Sequence, residues 1–123
     1  LEAQVLDMLH LLERTGRLEL PANFTKGTAV LSKGYQPGFQ KFVLLMEKDP
    51  SLKFRLETYA EPNMKPADQR LLLRERALTL LETLADMGAD KRRFSTAPGD
   101  ATKETAVPRG IVRLSAVDSV TEE

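Results

Sequence analysis

The stretch FRLETYAEPN, residues 54–63, contains the pattern that decides the fold. Phe54, Leu56 and Thr58 alternate with more polar side chains, which is the two-residue period of a half-buried strand. The alternation ends in a Tyr-Ala-Glu-Pro turn that contains Glu61. The stretch therefore predicts a strand with a carboxylate just past its end, and that carboxylate is either a solvated turn residue or part of a binding site.

The segments around this stretch predict an alternation of helices and strands. Apolar side chains recur every three or four residues in the helical segments and every second residue in the strands. The order helix, strand, helix, strand, helix, strand, strand predicts an α+β or α/β fold, with one mixed sheet and helices on one face. Each strand–helix–strand step predicts parallel neighbours in that sheet. The predicted helices span residues 1–15, 35–48 and 68–87, and the predicted strands span residues 17–21, 52–59, 93–96 and 110–117.

The sequence predicts one domain with a short additional segment at each end. Its 123 residues are enough for a single hydrophobic core. We expect an N-terminal helix or connector over residues 1–16, a domain over residues 17–118 and a disordered tail over residues 119–123. Because the first residue is Leu1 and not Met, we expect a longer parent protein, with any targeting or anchoring segment outside this chain.

Composition argues against several classes of function. The 18 basic and 18 acidic residues give a net charge of zero, which argues against nucleic acid as a partner. The absence of cysteine excludes disulfides and thiolate metal sites, and His10 is the single histidine. Since no nucleophile–base pair or metal cluster is apparent, we expect no enzyme activity, no catalytic residue, no metal and no cofactor. No apolar run approaches the ~18 residues that span a membrane, so we expect no membrane insertion of this segment.

Four stretches, taken in order, carry a family resemblance. The first is a strand followed by Phe, a small-residue turn, a Leu and a helix, and the second is a strand that ends in a turn carboxylate. The third is a long helix with an Arg-Ala pair and a Leu-x-x-x-Gly end, and the fourth is a final strand. These stretches are LELPANFTKGTAVLSKGYQPGF (18–39), DPSLKFRLETYAE (49–61), LLLRERALTLLETLADMGADKRRF (71–94) and VPRGIVRLSAV (107–117). Together they cover residues 17–117, and they resemble the OmpA-like domain, the C-terminal peptidoglycan-binding module of OmpA, Pal and MotB proteins.

The resemblance implies a divergent family member with an α+β fold: a βαβαββ mixed sheet, helices on one face and an extra N-terminal helix. Family members hold the diaminopimelate of a peptidoglycan stem peptide with an Asp past the second strand and an Arg on the following helix. The matching residues here are Glu61 and Arg76. A zwitterionic ligand needs an anion for its ammonium and an Arg fork for its carboxylate. The resemblance extends the expected ligand-binding set to Tyr59, Gln69 and Arg109.

The matched site departs from the family pattern. The family's Gly-His-Thr-Asp is replaced by Thr-Tyr-Ala-Glu at residues 58–61, and its Asn and Ser by Gln69 and Leu73. One predicted function is a periplasmic module, tethered through a segment outside this chain, that anchors a membrane or envelope protein non-covalently to the cell wall through an eroded site. The alternative is an assembly or dimerisation domain on the same scaffold, whose partner is a second copy or another envelope protein and which no longer binds peptidoglycan.

Three features have alternative interpretations. The first helix links the domain to a membrane segment, associates with a partner through its apolar stripe, or packs on its own sheet. Arg76 either holds a ligand or pairs on the helix surface with Glu75 or Glu82. The run KRR, residues 91–93, follows the third predicted helix. Either the helix dipole favours these cations at that end without any ligand, or they bind phosphate or nucleic acid. The predicted apolar stripes are Leu1, Val5, Met8, Leu9 and Leu12 on the first helix, and Leu73, Ala77, Leu80, Leu81, Leu84 and Met87 on the third.

Overall fold

A computed structural model describes residues 2–61, 63–99 and 111–118. In these residues, α-helices and strands follow one another in the predicted order. A 3₁₀ turn, Lys91–Arg93, connects the third helix to the third strand. The helices are α1 (Glu2–Thr15), α2 (Gln36–Lys48) and α3 (Pro66–Asp86), and the strands are β1 (Arg17–Pro21), β2 (Lys53–Thr58), β3 (Phe94–Pro98) and β4 (Ile111–Val117).

The strands form one mixed sheet in the order β1–β4–β2–β3. β4 is antiparallel to both of its neighbours, so Leu114 lies opposite Leu18 on one side and Leu56 on the other. β2 and β3 are parallel neighbours, because α3 returns the chain across the sheet between them. β1 and β2 run parallel but β4 separates them. The strands that α2 connects, β1 and β2, were expected to be neighbours, and that expectation is wrong. The strands that α3 connects, β2 and β3, were also expected to be neighbours, and that expectation is confirmed.

The helices cover one face of the sheet. Along β2, Phe54, Leu56 and Thr58 are buried, whereas the residues between them are exposed or half-buried. The Phe54 ring lies 4.9 Å from Phe42 of α2 and 6.3 Å from Phe94 of β3, measured between ring centroids. This aromatic cluster joins α2 to the centre of the sheet, and the α+β class with helices on one face is confirmed.

α1 packs against α2 and β1. Val5 and Leu12 of its predicted stripe are buried in the core, while Leu1 lies outside the described residues. Of the alternatives for this helix, the structure shows packing on its own domain. Leu6 and Leu11, which are not part of the predicted stripe, remain 44% and 40% exposed.

The buried face of α3 differs from the predicted stripe. Leu72 is buried and Leu73 is only half-buried, while Leu81 and Met87 are also half-buried. Arg76, predicted to flank the stripe, is itself buried. Arg76 lies on the buried face because the β1–α2 loop and the turn after β2 supply acceptors for its guanidinium.

One of the three cations after α3, Arg93, acts at a different helix end from the one predicted, while Arg92 pairs with Asp90. Arg93 donates hydrogen bonds to the carbonyl oxygens of Met46, Asp49 and Leu52, at 3.0, 2.7 and 2.9 Å. Met46 lies in the last turn of α2 and Asp49 is its C-cap. Arg93 therefore satisfies carbonyls that an α-helix leaves without intrahelical partners, and the helix end it caps is that of α2.

Candidate functional site

The candidate site lies where β2 ends and the chain turns toward α3. Thr58, the last residue of β2, donates its hydroxyl to the Leu73 carbonyl oxygen at 3.1 Å. Gln69 donates its side-chain amide to the Glu61 carbonyl oxygen at 3.0 Å. These two bonds hold the turn after β2 against the first half of α3. The Glu61 side chain is thereby placed beside the guanidinium of Arg76.

Arg76 is the centre of the site. Its Nε donates to the Thr28 carbonyl oxygen at 2.8 Å, its Nη1 to the Tyr59 carbonyl oxygen at 2.6 Å and its Nη2 to Glu61 Oε1 at 2.8 Å. The guanidinium carbon also lies 4.9 Å from the centroid of the Phe24 ring, which is cation–π distance. Arg76 is only 4% exposed, so one buried cation ties α3 to the β1–α2 loop and to the turn after β2.

Glu61 is the anion that neutralises this cation. Its Oε1 also accepts a hydrogen bond from the Gly27 amide at 3.3 Å, and Gly27 has a φ of 73°, a conformation that favours glycine. Burial raises the pKa of Glu61, but the hydrogen bonds from Arg76 and from backbone amides outweigh it and hold that pKa below its ordinary value. Glu61 Oε2 is buried and accepts no hydrogen bond from any residue that the structure describes.

The structure brings together four of the five residues expected to bind a ligand. Glu61 and Arg76 form an ion pair, and Gln69 holds the backbone of Glu61. Tyr59 contributes its carbonyl oxygen, while its hydroxyl donates to Glu57 at 3.3 Å. Arg109 lies outside the described residues. The roles of these residues toward a ligand stay predictions.

Two alternative interpretations made from the sequence are wrong. Glu61 is not a solvated turn carboxylate, because its side chain is 13% exposed and paired with Arg76. The ion pair of Arg76 is with Glu61, and not with Glu75 or Glu82 of its own helix. The pairing crosses from α3 to a separate turn, so both partners do not lie on one helix.

Sequence reasoning missed the contribution of the β1–α2 loop to the site. Phe24 is half-buried against the core, and its ring lies beside the Arg76 guanidinium. Thr28 and Gly27 act through backbone atoms, so their residue types do not reveal these contacts. These contacts span 34 to 52 positions of the chain, beyond any local spacing rule.

The described residues contain neither a metal-binding cluster nor a membrane-spanning helix. No group of three or more His, Asp or Glu side chains there could hold a metal ion. None of the helices in that part of the chain has the length and apolar character needed to cross a membrane.

No protein-family model and no curated protein matches this chain, but solved structures do. The OmpA-like domain of FopA1 from Francisella tularensis is 15% identical, with a TM-score of 0.65 over 80% of this chain and 71% of that one. The peptidoglycan-associated lipoprotein from Burkholderia pseudomallei is 14% identical, with a TM-score of 0.62 over 80% of this chain and 88% of that one. The periplasmic domain of Helicobacter pylori MotB is 15% identical, with a TM-score of 0.59 over 86% of this chain and 81% of that one.

These likenesses show the fold. The chain has the fold of OmpA-like domains, with a mixed sheet covered by helices on one face. The resemblance found in the four sequence stretches is confirmed at that level. At 14–15% identity the likeness does not extend to what those proteins bind.

Proposed function

We propose that this chain is a cell-envelope module that holds the protein of which it is part non-covalently to peptidoglycan. The observation that carries the proposal is the buried Arg76–Glu61 pair at the end of β2, in which Glu61 Oε2 accepts no hydrogen bond from the described residues. Proteins with similar folds include a peptidoglycan-associated lipoprotein and the periplasmic domain of a MotB protein. We place the module in the periplasm, with residues 17–118 as its domain and a tether outside this chain.

The proposed ligand is the zwitterionic centre of a diaminopimelate residue in a stem peptide. Its ammonium would donate to Glu61 Oε2. Arginine carries five N–H groups, and three of those of Arg76 are engaged with protein acceptors. One N–H remains on each terminal nitrogen, and these would donate to the ligand's carboxylate in the bidentate manner that favours Arg. Binding and orientation are the whole of the proposed role, with no catalytic step.

The remaining members of the predicted set would support this contact. Gln69 fixes the Glu61 backbone, Tyr59 accepts from the Arg76 guanidinium through its carbonyl, and Arg109 would add a further cation for the ligand. Because the Arg76 side chain is 5% exposed, a ligand reaches it only when the turn at residues 59–61 moves away from α3. A site that is open for a fraction of the time binds with an affinity reduced by that fraction.

Sedimentation with purified peptidoglycan sacculi tests this function. Wild type should co-sediment, Glu61→Gln should not, and Glu13→Gln, the same substitution at an exposed position of α1, should behave as wild type. Circular dichroism establishes that each variant is folded. If wild type stays in the supernatant, or if folded Glu61→Gln sediments as wild type does, the proposal is wrong.

A second function is favoured by the completeness of the Arg76 contacts. The protein itself supplies an acceptor to each of the three guanidinium nitrogens, so the pair can hold two loops on α3 without any ligand. On this alternative the chain is an assembly domain that binds a second copy or another envelope protein. Light scattering separates the two: an assembly domain gives a mass above that of one chain and no binding to sacculi, whereas a strict monomer that binds sacculi excludes it.

A further inference from the structure

A groove opens between α3 and the strand β3, on the flank of α3 opposite to the Arg76–Glu61 pair. Phe94, Thr96 and Pro98 lie on one face of β3, because alternate residues of a strand share a face. Phe94 is buried, but Thr96 and Pro98 are exposed. α3 therefore covers the start of β3 and leaves its carboxyl end open. The resulting cavity has a volume of about 210 Å³. We call it the α3–β3 groove; it is lined by Arg70, Leu73, Arg74, Ala77, Thr96 and Pro98, among others.

The charge of the α3–β3 groove is not balanced by the described protein. Arg70 and Arg74 both line it, and at a spacing of four residues they lie on one helix face, where like charges repel. The positions three and four residues away on either side of each hold only Pro, Ala, Leu or the other arginine. No ion pair between described residues involves either arginine. Two exposed guanidinium groups therefore border the cavity, and no described residue forms an ion pair with them.

The lining between the arginines and the strand is apolar. Leu73 and Ala77 from α3 and Pro98 from β3 face the cavity. A free phosphate would pair with the arginines but leave this apolar surface in water. At about 210 Å³ the cavity is smaller than the range of about 300–1,000 Å³ of sites for drug-sized ligands. It suits the end of a larger molecule. A planar carboxylate would bind the guanidinium groups, and a small apolar side chain beside it would contact the apolar lining.

We propose that the α3–β3 groove binds the terminal carboxylate of a peptide that ends in a small apolar residue, with Arg70 and Arg74 as the anion-binding groups. Thr96 lines the same opening, and its hydroxyl would add a donor. Such a carboxylate occurs at the D-alanine end of a stem peptide and at the C-terminus of a protein. Thr58, which holds the turn after β2 against α3, also lines the groove, but neither Arg76 nor Glu61 does. The inference therefore does not depend on peptidoglycan binding at the Arg76–Glu61 pair.

Nuclear magnetic resonance titration of the ¹⁵N-labelled chain tests the proposal with three small probes. These are N-acetyl-D-Ala-D-Ala, N-acetyl-L-Ala-L-Ala and the amide of the latter, which removes the terminal charge and changes little else. At least one acid should shift the Arg70 and Arg74 Nε–H signals and the Thr96 amide in a saturable way. The amide should bind at least about tenfold more weakly, because hydrogen bonds to an ionised acceptor are roughly twice as strong as neutral ones. The stronger acid identifies the source of the carboxylate.

Variants separate the groove from the rest of the molecule. Both arginines are exposed, so R70Q/R74Q should fold as wild type does and lose at least about tenfold in affinity for the acid. Arg55→Gln, at an exposed arginine of β2, is the matched control and should bind as wild type does. Glu61→Gln should also leave this binding unchanged, which keeps the two sites distinguishable. The proposal is overturned if neither acid binds, if acid and amide bind equally, if R70Q/R74Q binds as wild type does, or if inorganic phosphate binds more tightly than both acids.

Discussion

The two flanks of α3 carry arginines in opposite circumstances. On one flank Arg76 is 4% exposed and donates to Thr28, Tyr59 and Glu61. On the other flank Arg70 and Arg74 are exposed, border a cavity and form no ion pair with described residues. The helix is the same and the side chains are chemically identical, so the difference comes entirely from what the neighbouring segments supply.

The comparison separates an arginine that holds the fold from one that is available to a partner. A buried cation requires an opposite charge and hydrogen-bond acceptors, since an unpaired one costs several kcal/mol. The β1–α2 loop and the turn after β2 meet this requirement for Arg76. β3 offers Thr96 and Pro98 near Arg70 and Arg74 but no carboxylate. The first flank therefore contributes to stability, and the second contributes charge that a ligand can use.

Truncating one arginine on each flank of α3 should give the largest contrast in the free energy of unfolding. Arg76→Ala should lower the free energy of unfolding by about 3–5 kcal/mol, because it leaves the Glu61 carboxylate buried without its partner. Arg74→Ala, two positions away on the same helix, should change it by less than about 0.5 kcal/mol, as is usual for surface substitutions. Urea denaturation measures both. Similar losses in the two variants would remove the distinction between the flanks.

Neutralising the Glu61 carboxylate should have a smaller, pH-dependent effect on stability. Glu61→Gln keeps an oxygen for Arg76 and Gly27 but removes the charge, so we expect a loss of about 1–3 kcal/mol at pH 7. The pKa of Glu61 is lowered in the fold, so the charged carboxylate stabilises the protein above its ordinary pKa of about 4.3 and that contribution disappears as the pH falls through the lowered value.

The measurement is the difference in unfolding free energy between wild type and Glu61→Gln as a function of pH. Unfolding curves of wild type and Glu61→Gln should be well separated at neutral pH and should converge in acid. A difference that is constant across this pH range would mean that the charge of Glu61 does not contribute to stability.

The smallest expected change in stability is on the flank of α3 that carries Arg70 and Arg74. R70Q/R74Q should raise the unfolding free energy by about 0.2–0.5 kcal/mol at low salt, because it removes a like-charge pair at a spacing of four residues. At high salt the gain should vanish, since exposed charges are screened. Urea denaturation at two salt concentrations measures it. A loss of stability in this double variant would show that the two arginines hold the fold after all.

The element order was predictable from sequence because periodicity is a local signal. Phe54, Leu56 and Thr58 mark one face of β2, and the structure buries them. The position of β4 between β1 and β2 was not predictable in the same way. Leu114 pairs with Leu18 and Leu56, and alternation within a strand shows which face is buried but not which strand lies beside it.

The site was predictable only in part, for a related reason. Family resemblance matched Glu61 and Arg76, and the structure pairs them. The burial of Arg76 depends on carbonyl oxygens of Thr28 and Tyr59, and every residue type carries such an oxygen. The face of α3 that contains Leu72 and Arg76 was therefore assigned incorrectly, since a helical wheel treats an arginine as a surface residue.

The most direct test of the central claim is a titration of the ¹⁵N-labelled chain with meso-diaminopimelic acid. If the Arg76–Glu61 pair receives the zwitterionic centre of a stem peptide, the Arg76 Nε–H and Gly27 amide signals should shift saturably. They should not shift in folded Glu61→Gln, and the Arg93 Nε–H, which donates to the Leu52 carbonyl oxygen, should stay in place. If diaminopimelic acid at saturating concentration leaves the Arg76 and Gly27 signals of wild type unmoved, the pair only holds the fold and the peptidoglycan-binding account is contradicted.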